Sequence, residues 1–281
     1  LVIVSTSANI VPFPATAGLA SMPMYTLPEQ EDVVAAWWRG VARHMRAAGA
    51  SRAPELLTKP DSVLEHWLDK NLLFSQTCGF PLMFLLEGRV RMVATPIYDA
   101  PGCDGPTYRS MIIVPEELNV SDLRDLRGLD VAVNARDSQS GFNALRALVA
   151  SVSEPGDQFF ERTVMTGAHR DSLKAVQDKS VQCAAIDGVT LALHQRYRPD
   201  LTNGIRILCE TEAAPGLPFI TRGDVTDDEL QALREGLFAA LDDPELKPLA
   251  DKQLLTGAAA LELEDYAVIK EMAAAGAQVE L

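Results

Sequence analysis

Residues 129–150, LDVAVNARDSQSGFNALRALVA, decide the fold. Residues 129–133 form a short Val-rich apolar run, which predicts a strand. Residues 134–140 are polar and loop-like. Residues 141–150 carry apolar side chains at helical spacing, which predicts a helix. A strand that passes through a polar loop into a helix is the repeating unit of an α/β protein. In open sheets of this kind, ligands gather at the carboxyl ends of strands, where helices begin. Ser138 and Ser140 place hydroxyls there, and Gly141 admits close approach of backbone N–H groups to a ligand.

The same unit recurs on both sides. Strands are predicted at residues 72–74, 89–97, 108–114, 162–165, 183–186 and 205–208, with one more after the Pro-Gly-Leu-Pro run at 215–218. Helices are predicted from Pro28, behind an Asp61 cap, at 80–86, 169–178, 188–197, 226–241 and 265–275. The first of these carries Val33, Val34, Trp37, Trp38, Val41 and Met45 on one face. Alternation of this sort predicts an α/β protein with mostly parallel sheets flanked by helices. Pro/Gly-rich crossings near 99–106 and 212–218 suggest a middle lobe inserted into a discontinuous first one. The expected boundaries are 19–106 plus 213–281 for lobe 1 and 107–212 for lobe 2, with the ligand in the cleft between them.

Composition limits the function classes. The chain has 281 residues, 47% apolar and 23% charged, with 25 Lys+Arg against 39 Asp+Glu and a net charge of −14. That is enough for two buried cores, and it excludes a disordered, collagen-like or disulfide-stapled chain. An acidic balance argues against a nucleic-acid partner, but allows an anionic small molecule in a locally positive pocket. No apolar run reaches the roughly 18 residues that a spanning helix needs. Cys78, Cys103, Cys183 and Cys209 lack C-x-x-C spacing, and no His stands at a ligand offset from them. They read as free thiols, and no metal site or cofactor is expected. Residues 1–18 read as an N-terminal arm, an appended segment or a signal remnant. Ala15-Thr16-Ala17 resembles a cleavage site, but Ser5, Ser7 and Asn9 interrupt the apolar run and a basic stretch is missing.

Three strand-to-helix junctions are polar in the same way: 75–79, 134–143 and 166–169. At each, hydroxyls, amides and free N–H groups suit the oxygens of an anion, and ordinary N-capping explains the same residues equally well. Asp187 follows an apolar run, so it belongs at a strand tip, either facing the cleft or capping the next helix. Tyr25 and Tyr108 stand at the edges of apolar runs, as cleft phenols or half-buried core residues. His44, His66 and His194 lie within amphipathic helices and read as surface or packing residues. Ser140, His169 and Asp187 have the residue types of a catalytic triad. No G-x-S-x-G elbow, phosphate loop or carboxylate pair accompanies them, so no catalysis is expected.

The strings themselves are more specific. Residues 72–82, LLFSQTCGFPL, resemble the first-lobe anion loop of phosphate/phosphonate-type ABC-transporter substrate-binding proteins. Residues 137–146, DSQSGFNALR, resemble that family's second-lobe serine loop, and 166–173 and 184–187 resemble its next two segments, in the family's order. The resemblance implies a type II periplasmic-binding-protein fold, capture of a small oxyanion without chemistry, a periplasmic location and an ABC permease as partner. It also implies a monomer or weak dimer. Carried over by position, Gln76, Thr77, Tyr108, Ser138, Ser140 and His169 would hold the anion, Asp187 would face a ligand substituent and Tyr25 would stand at the cleft entrance. Beyond Asp187, no acidic residue matches those that hold an aminoalkyl tail. A cytoplasmic or regulatory protein or enzyme that kept the fold, or a binder of sulfonates or pyrimidine precursors, stays open as an alternative.

Overall fold

Val34, Trp37, Trp38, Val41 and Met45 are all buried, as their spacing requires, while Val33 is only partly covered. The computed structural model describes residues 17–281, so the arm or signal reading of residues 1–16 lies outside the described residues. The chain opens with β1 (Leu19–Ala20), a 3-10 turn at Pro28–Gln30 and α1 (Glu31–Ala47). Then come α2 (Val63–Trp67), β2 (Leu72–Gln76), α3 (Gly79–Phe84) and β3 (Val90–Tyr98). After β4 (Thr107–Tyr108), it continues with β5 (Ser110–Pro115), β6 (Asp130–Val133), α4 (Ala144–Ala150), β7 (Arg162–Met165), α5 (His169–Gln177), β8 (Cys183–Asp187), α6 (Gly188–Tyr197) and β9 (Ile205–Glu210). It returns through β10 (Ala214–Pro215) and β11 (Phe219–Arg222), and ends with α7 (Asp227–Leu241), α8 (Lys247–Lys252), β12 (Leu255–Ala259) and α9 (Ala267–Gly276).

Two five-stranded sheets result, in the orders β1-β2-β11-β3-β12 and β7-β6-β8-β5-β9. The α/β reading holds, but the expected mostly parallel pairing does not. In the first sheet only the β1–β2 pair is parallel; β11 is antiparallel to β2 and β3, and β12 is antiparallel to β3. In the second, β6 runs parallel to β7 and β8, while β5 is antiparallel to β8 and β9. Parallel neighbours need a crossover connection such as a helix between them. The strands β5, β9 and β11 enter or leave a sheet directly at a crossing, so no such helix turns them round. The crossings are tied to each other: β4 and β10 form a two-stranded antiparallel ladder, and the Gly216 N–H donates to the Pro106 carbonyl at 2.8 Å.

Each sheet has its own core. Behind the first, Phe74 is stacked against Trp38 and Phe219, with ring centroids 5.2 and 4.9 Å away. Helices α1 and α7 touch backbone to backbone. A Cβ on Gly236 would fall 2.4 Å from the Met45 Cα, so only glycine fits there. The second core is built on Ile112, Val131, Phe159 and Phe160.

The C-terminal stretch makes contacts at both sheets. Tyr266 is buried at the first sheet, where its hydroxyl bonds Thr95 at 2.8 Å and the Gly216 carbonyl at 2.7 Å. From there α9 packs on α4, and Val279 enters the second core. Its close approach needs Gly276, whose Cβ would lie 2.7 Å from that of Arg146. Two local details also differ. Ser62, not Asp61, caps α2 by accepting the Glu65 N–H. The helix expected from Gly141 opens as a wide π turn over Gln139–Asn143 before α4.

Candidate ligand-binding site

A cleft of about 410 Å³ opens where the two sheets present their loops to each other, and it collects Tyr25, Ser138, Ser140, His169 and Asp187. The π turn 139–143 points its start at this cleft. The Ser138 hydroxyl caps the turn by accepting the Gly141 N–H at 3.1 Å and lies 3.5 Å from the Ser140 hydroxyl. Ser140 in turn bonds His169 Nε2 at 2.8 Å. His169 is the first residue of α5, whose N-cap residue Ala168 has no side-chain group to offer. The first N–H groups of that helix are therefore free to meet an anion at its positive end. Thr166 does not cap α5; its hydroxyl bonds that of Ser172 at 2.6 Å.

Asp187 fulfils both readings made of it. Oδ1 caps α6 by accepting the N–H groups of Val189 and Thr190 at 2.8 and 3.1 Å. Oδ2 accepts the Tyr25 hydroxyl at 2.8 Å, a bond that joins the two sides of the cleft. Burial pushes the carboxyl up to about 6, against the pull of those three donors. His169 moves the other way: burial first, then His194, hold it down to about 4, so the ring is neutral near pH 7. Part of the ring is exposed, but Nδ1 is enclosed without a partner and Nε2 is bonded to Ser140. In a Ser-His-Asp triad a carboxylate orients the base. Here the carboxylate of Asp187 is committed to Tyr25 and α6, and Nδ1 of His169 has nothing to hold it.

These two groups set opposing acid responses. Asp187 titrates at about 6 in the fold and near 3.9 unfolded, so its contribution to stability is full below the unfolded value and is lost as pH rises through 6. His169 titrates at about 4 in the fold, so its contribution is present above its unfolded value and lost as pH falls toward 4. In the wild type the two offset across that window. Asp187→Asn keeps the cap through its amide oxygen and can meet Tyr25 only with the bond reversed, from its amide nitrogen to the phenol oxygen, and it removes the acid-side gain. Between neutral pH and about pH 4, the variant should lose on the order of 2–3 kcal/mol relative to wild type, read from urea midpoints. Parallel profiles for the two proteins would remove Asp187 from this role.

Four expected residues stay off the cleft wall. Gln76 is fully buried between β1 and β11, where Nε2 donates to Tyr98 at 3.2 Å and the Leu217 carbonyl at 3.0 Å. Thr77 is buried as well; its N–H goes to the Pro218 carbonyl and its hydroxyl to that of Cys78. Strand β2 runs on through Gln76, so the first-lobe loop reaches the cleft only at Cys78 and Pro81. Tyr108 lies beneath the wall beside Cys78 and Ser140, with its hydroxyl unpartnered. Gly141 is also absent from the wall. Its N–H is used by Ser138, and a Cβ would stand 1.9 Å from Asn134 Oδ1.

The cleft also contains residues that the sequence reading passed over. His194 is 2% exposed, lines the cleft and has an unpartnered Nδ1, so it is no surface residue. Positions 187, 190 and 194 follow helical spacing along α6, and all three residues line the cleft. The opposite wall is apolar, formed by Met24, Val63, Leu64, Trp67, Pro81 and Leu85. Among the described residues, no group of His, Cys, Asp and Glu is arranged to hold a metal ion. The four cysteines are free.

A family model described as "ABC transporter, phosphonate, periplasmic substrate-binding protein" matches residues 24–266. Among solved structures, the chain resembles the binding protein component of an ABC phosphonate transporter from Pseudomonas aeruginosa, with TM-score 0.74, 16% identity, and coverage of 92% of this chain and 85% of that one. It also resembles PhnD1 from Prochlorococcus marinus in complex with methylphosphonate, with TM-score 0.69, 12% identity, and coverage of 92% and 97%. A Xanthomonas citri protein bound to ATP gives TM-score 0.68, 18% identity, and coverage of 92% and 96%. At these identities the structures share the two-lobe fold of periplasmic binding proteins. No curated protein matches the chain in sequence.

Proposed function

Because the chain belongs to the phosphonate family of periplasmic substrate-binding proteins of ABC transporters, we propose that its cleft captures a small phosphate-, phosphonate- or phosphite-like oxyanion and releases it unchanged to a permease. The family is one of transport binding proteins, whose partners are a small ligand and an ABC permease. The observation that carries the ligand reading is the convergence of Ser138, Ser140 and His169 at the uncapped start of α5. Among the lining residues the only formal cation is Arg170. The charge of an anion is then met chiefly by hydroxyls and backbone N–H groups, which gain strength as water leaves.

Tyr25 supports this reading from the cleft wall and Tyr108 from beneath it. Burial raises both phenols well above their usual range, so they stay protonated as donors. Gln76 and Thr77 act on this view from behind the wall, by holding the crossing at 217–218. Residues 19–106 with most of 213–281 form one closing body and 107–212 the other. Bound ligand draws them together over the cleft.

A thermal-shift screen against phosphate, phosphite, methylphosphonate, aminoethylphosphonate, sulfate, taurine and aminopyrimidines tests the proposal. A ligand at about 100 times its dissociation constant adds about 2.7 kcal/mol and raises the unfolding midpoint. A rise with a phosphorus oxyanion alone is expected. A rise only with taurine, sulfate or a pyrimidine, or none in ligand-free protein, would overturn the oxyanion assignment.

A further inference from the structure

A second cavity, of about 330 Å³, shares no lining residue with the cleft; it is bordered by Arg136, Phe142, Arg146, Thr163 and residues 279–281. Both guanidinium groups sit over one ring, 5.8 Å (Arg136) and 5.2 Å (Arg146) from the Phe142 centroid. In a chain with 39 acidic and 25 basic side chains, arginines should readily find carboxylates. These two do not. Among the described residues, the ring is the only partner of Arg136, and Arg146 donates just to the Val279 carbonyl at 3.1 Å. Glu280 lies on the same wall and attracts Arg146, but from beyond ion-pair distance. Burial and the charge of Arg136 both lower the pKa of Arg146, the mark of a guanidinium short of counter-charge. The Thr163 hydroxyl is enclosed without a partner.

Two like charges are held over one ring, and among the described residues no carboxylate pairs with either of them. A planar guanidinium fork matches phosphoryl or carboxylate oxygens, and two adjacent forks match an anion with two neighbouring charged groups. We propose that Arg136 and Arg146, seated over Phe142, form a second binding site for a small polyanion of the diphosphate or di- to tricarboxylate class. The site is independent of the ligand in the cleft.

The test is calorimetric titration of the full chain at low ionic strength, with inorganic pyrophosphate in one arm and citrate in the other. Wild type should bind at least one of them, and the Ser140→Ala protein should bind it as tightly, because that change touches only the cleft. Arg136→Gln breaks no hydrogen bond within the fold, so it should fold normally and weaken binding at least threefold. The Arg136→Gln/Arg146→Gln protein should lose tenfold or more. Either arm responding in this pattern identifies the oxygen chemistry that the site takes. Binding of neither anion, affinity unchanged by Arg136→Gln, or loss in Ser140→Ala would each overturn the assignment. If the double variant fails to fold, the Arg136→Gln result decides.

Discussion

Ser140→Ala should weaken binding of the cleft oxyanion by about 1–3 kcal/mol, the usual cost of deleting one partner of a charge-assisted hydrogen bond. In a titration that is about a 5- to 150-fold rise in dissociation constant. Ser140 is the cleanest position for this test. Its hydroxyl faces the cleft and bonds His169, and no backbone group depends on it. Ser138, by contrast, also caps the turn through the Gly141 N–H, so its removal mixes binding with folding. Affinity equal to wild type would take Ser140 out of the site. Because His169 is already neutral near pH 7, the same titration should give no His169-linked loss of affinity as pH rises from 6 to 8.

Phe74→Ala should destabilise the fold by about 3–5 kcal/mol, measured by urea unfolding. Phe74 is fully buried at the centre of the first core, against Trp38 on one side and Phe219 on the other. Those neighbours sit on α1 and β11, which are pinned by their own helix and sheet contacts. They cannot slide in to fill the gap, so the cavity stays open and its cost is added to the lost burial. A loss under about 1 kcal/mol would show that this core collapses freely.

The regular elements were the legible ones. Residues 162–165 and 188–197 match β7 and α6 to the residue, because a short apolar run and a helix entered through Asp187-Gly188 each carry their own boundaries. The last strand, Leu255–Ala259, escaped because it is an edge strand, mostly small and only partly buried, with no alternation to read. Strand direction escaped for a different reason: it is set by where the chain crosses between sheets, which local pattern does not encode. The serine loop, His169 and Asp187 could be found because they lie at strand tips. Gln76 occupies such a tip too, but the pairing of β11 with β2 seals it in, a contact made 141 residues along the chain with Leu217. The apolar wall on α2 was hidden because its residues reach the cleft only through tertiary packing, whereas His194 was available from the spacing of α6.

Helix α9 has a mechanical meaning. One face seats Ile269 against α3, so tightly that a Cβ on Gly79 would meet it at 2.4 Å. From the other side the π turn 139–143 grips the same helix: Asn143 donates to the Ile269 carbonyl at 3.1 Å, and Gln139 reaches the Met272 sulfur. The helix is a gasket along the seam beside the cleft. Any wide gape must peel one of its faces into water, at about 25 cal/mol for each Å² of apolar surface exposed. Relative motion of the two proposed lobes would therefore be resisted in proportion to the apolar face that α9 uncovers.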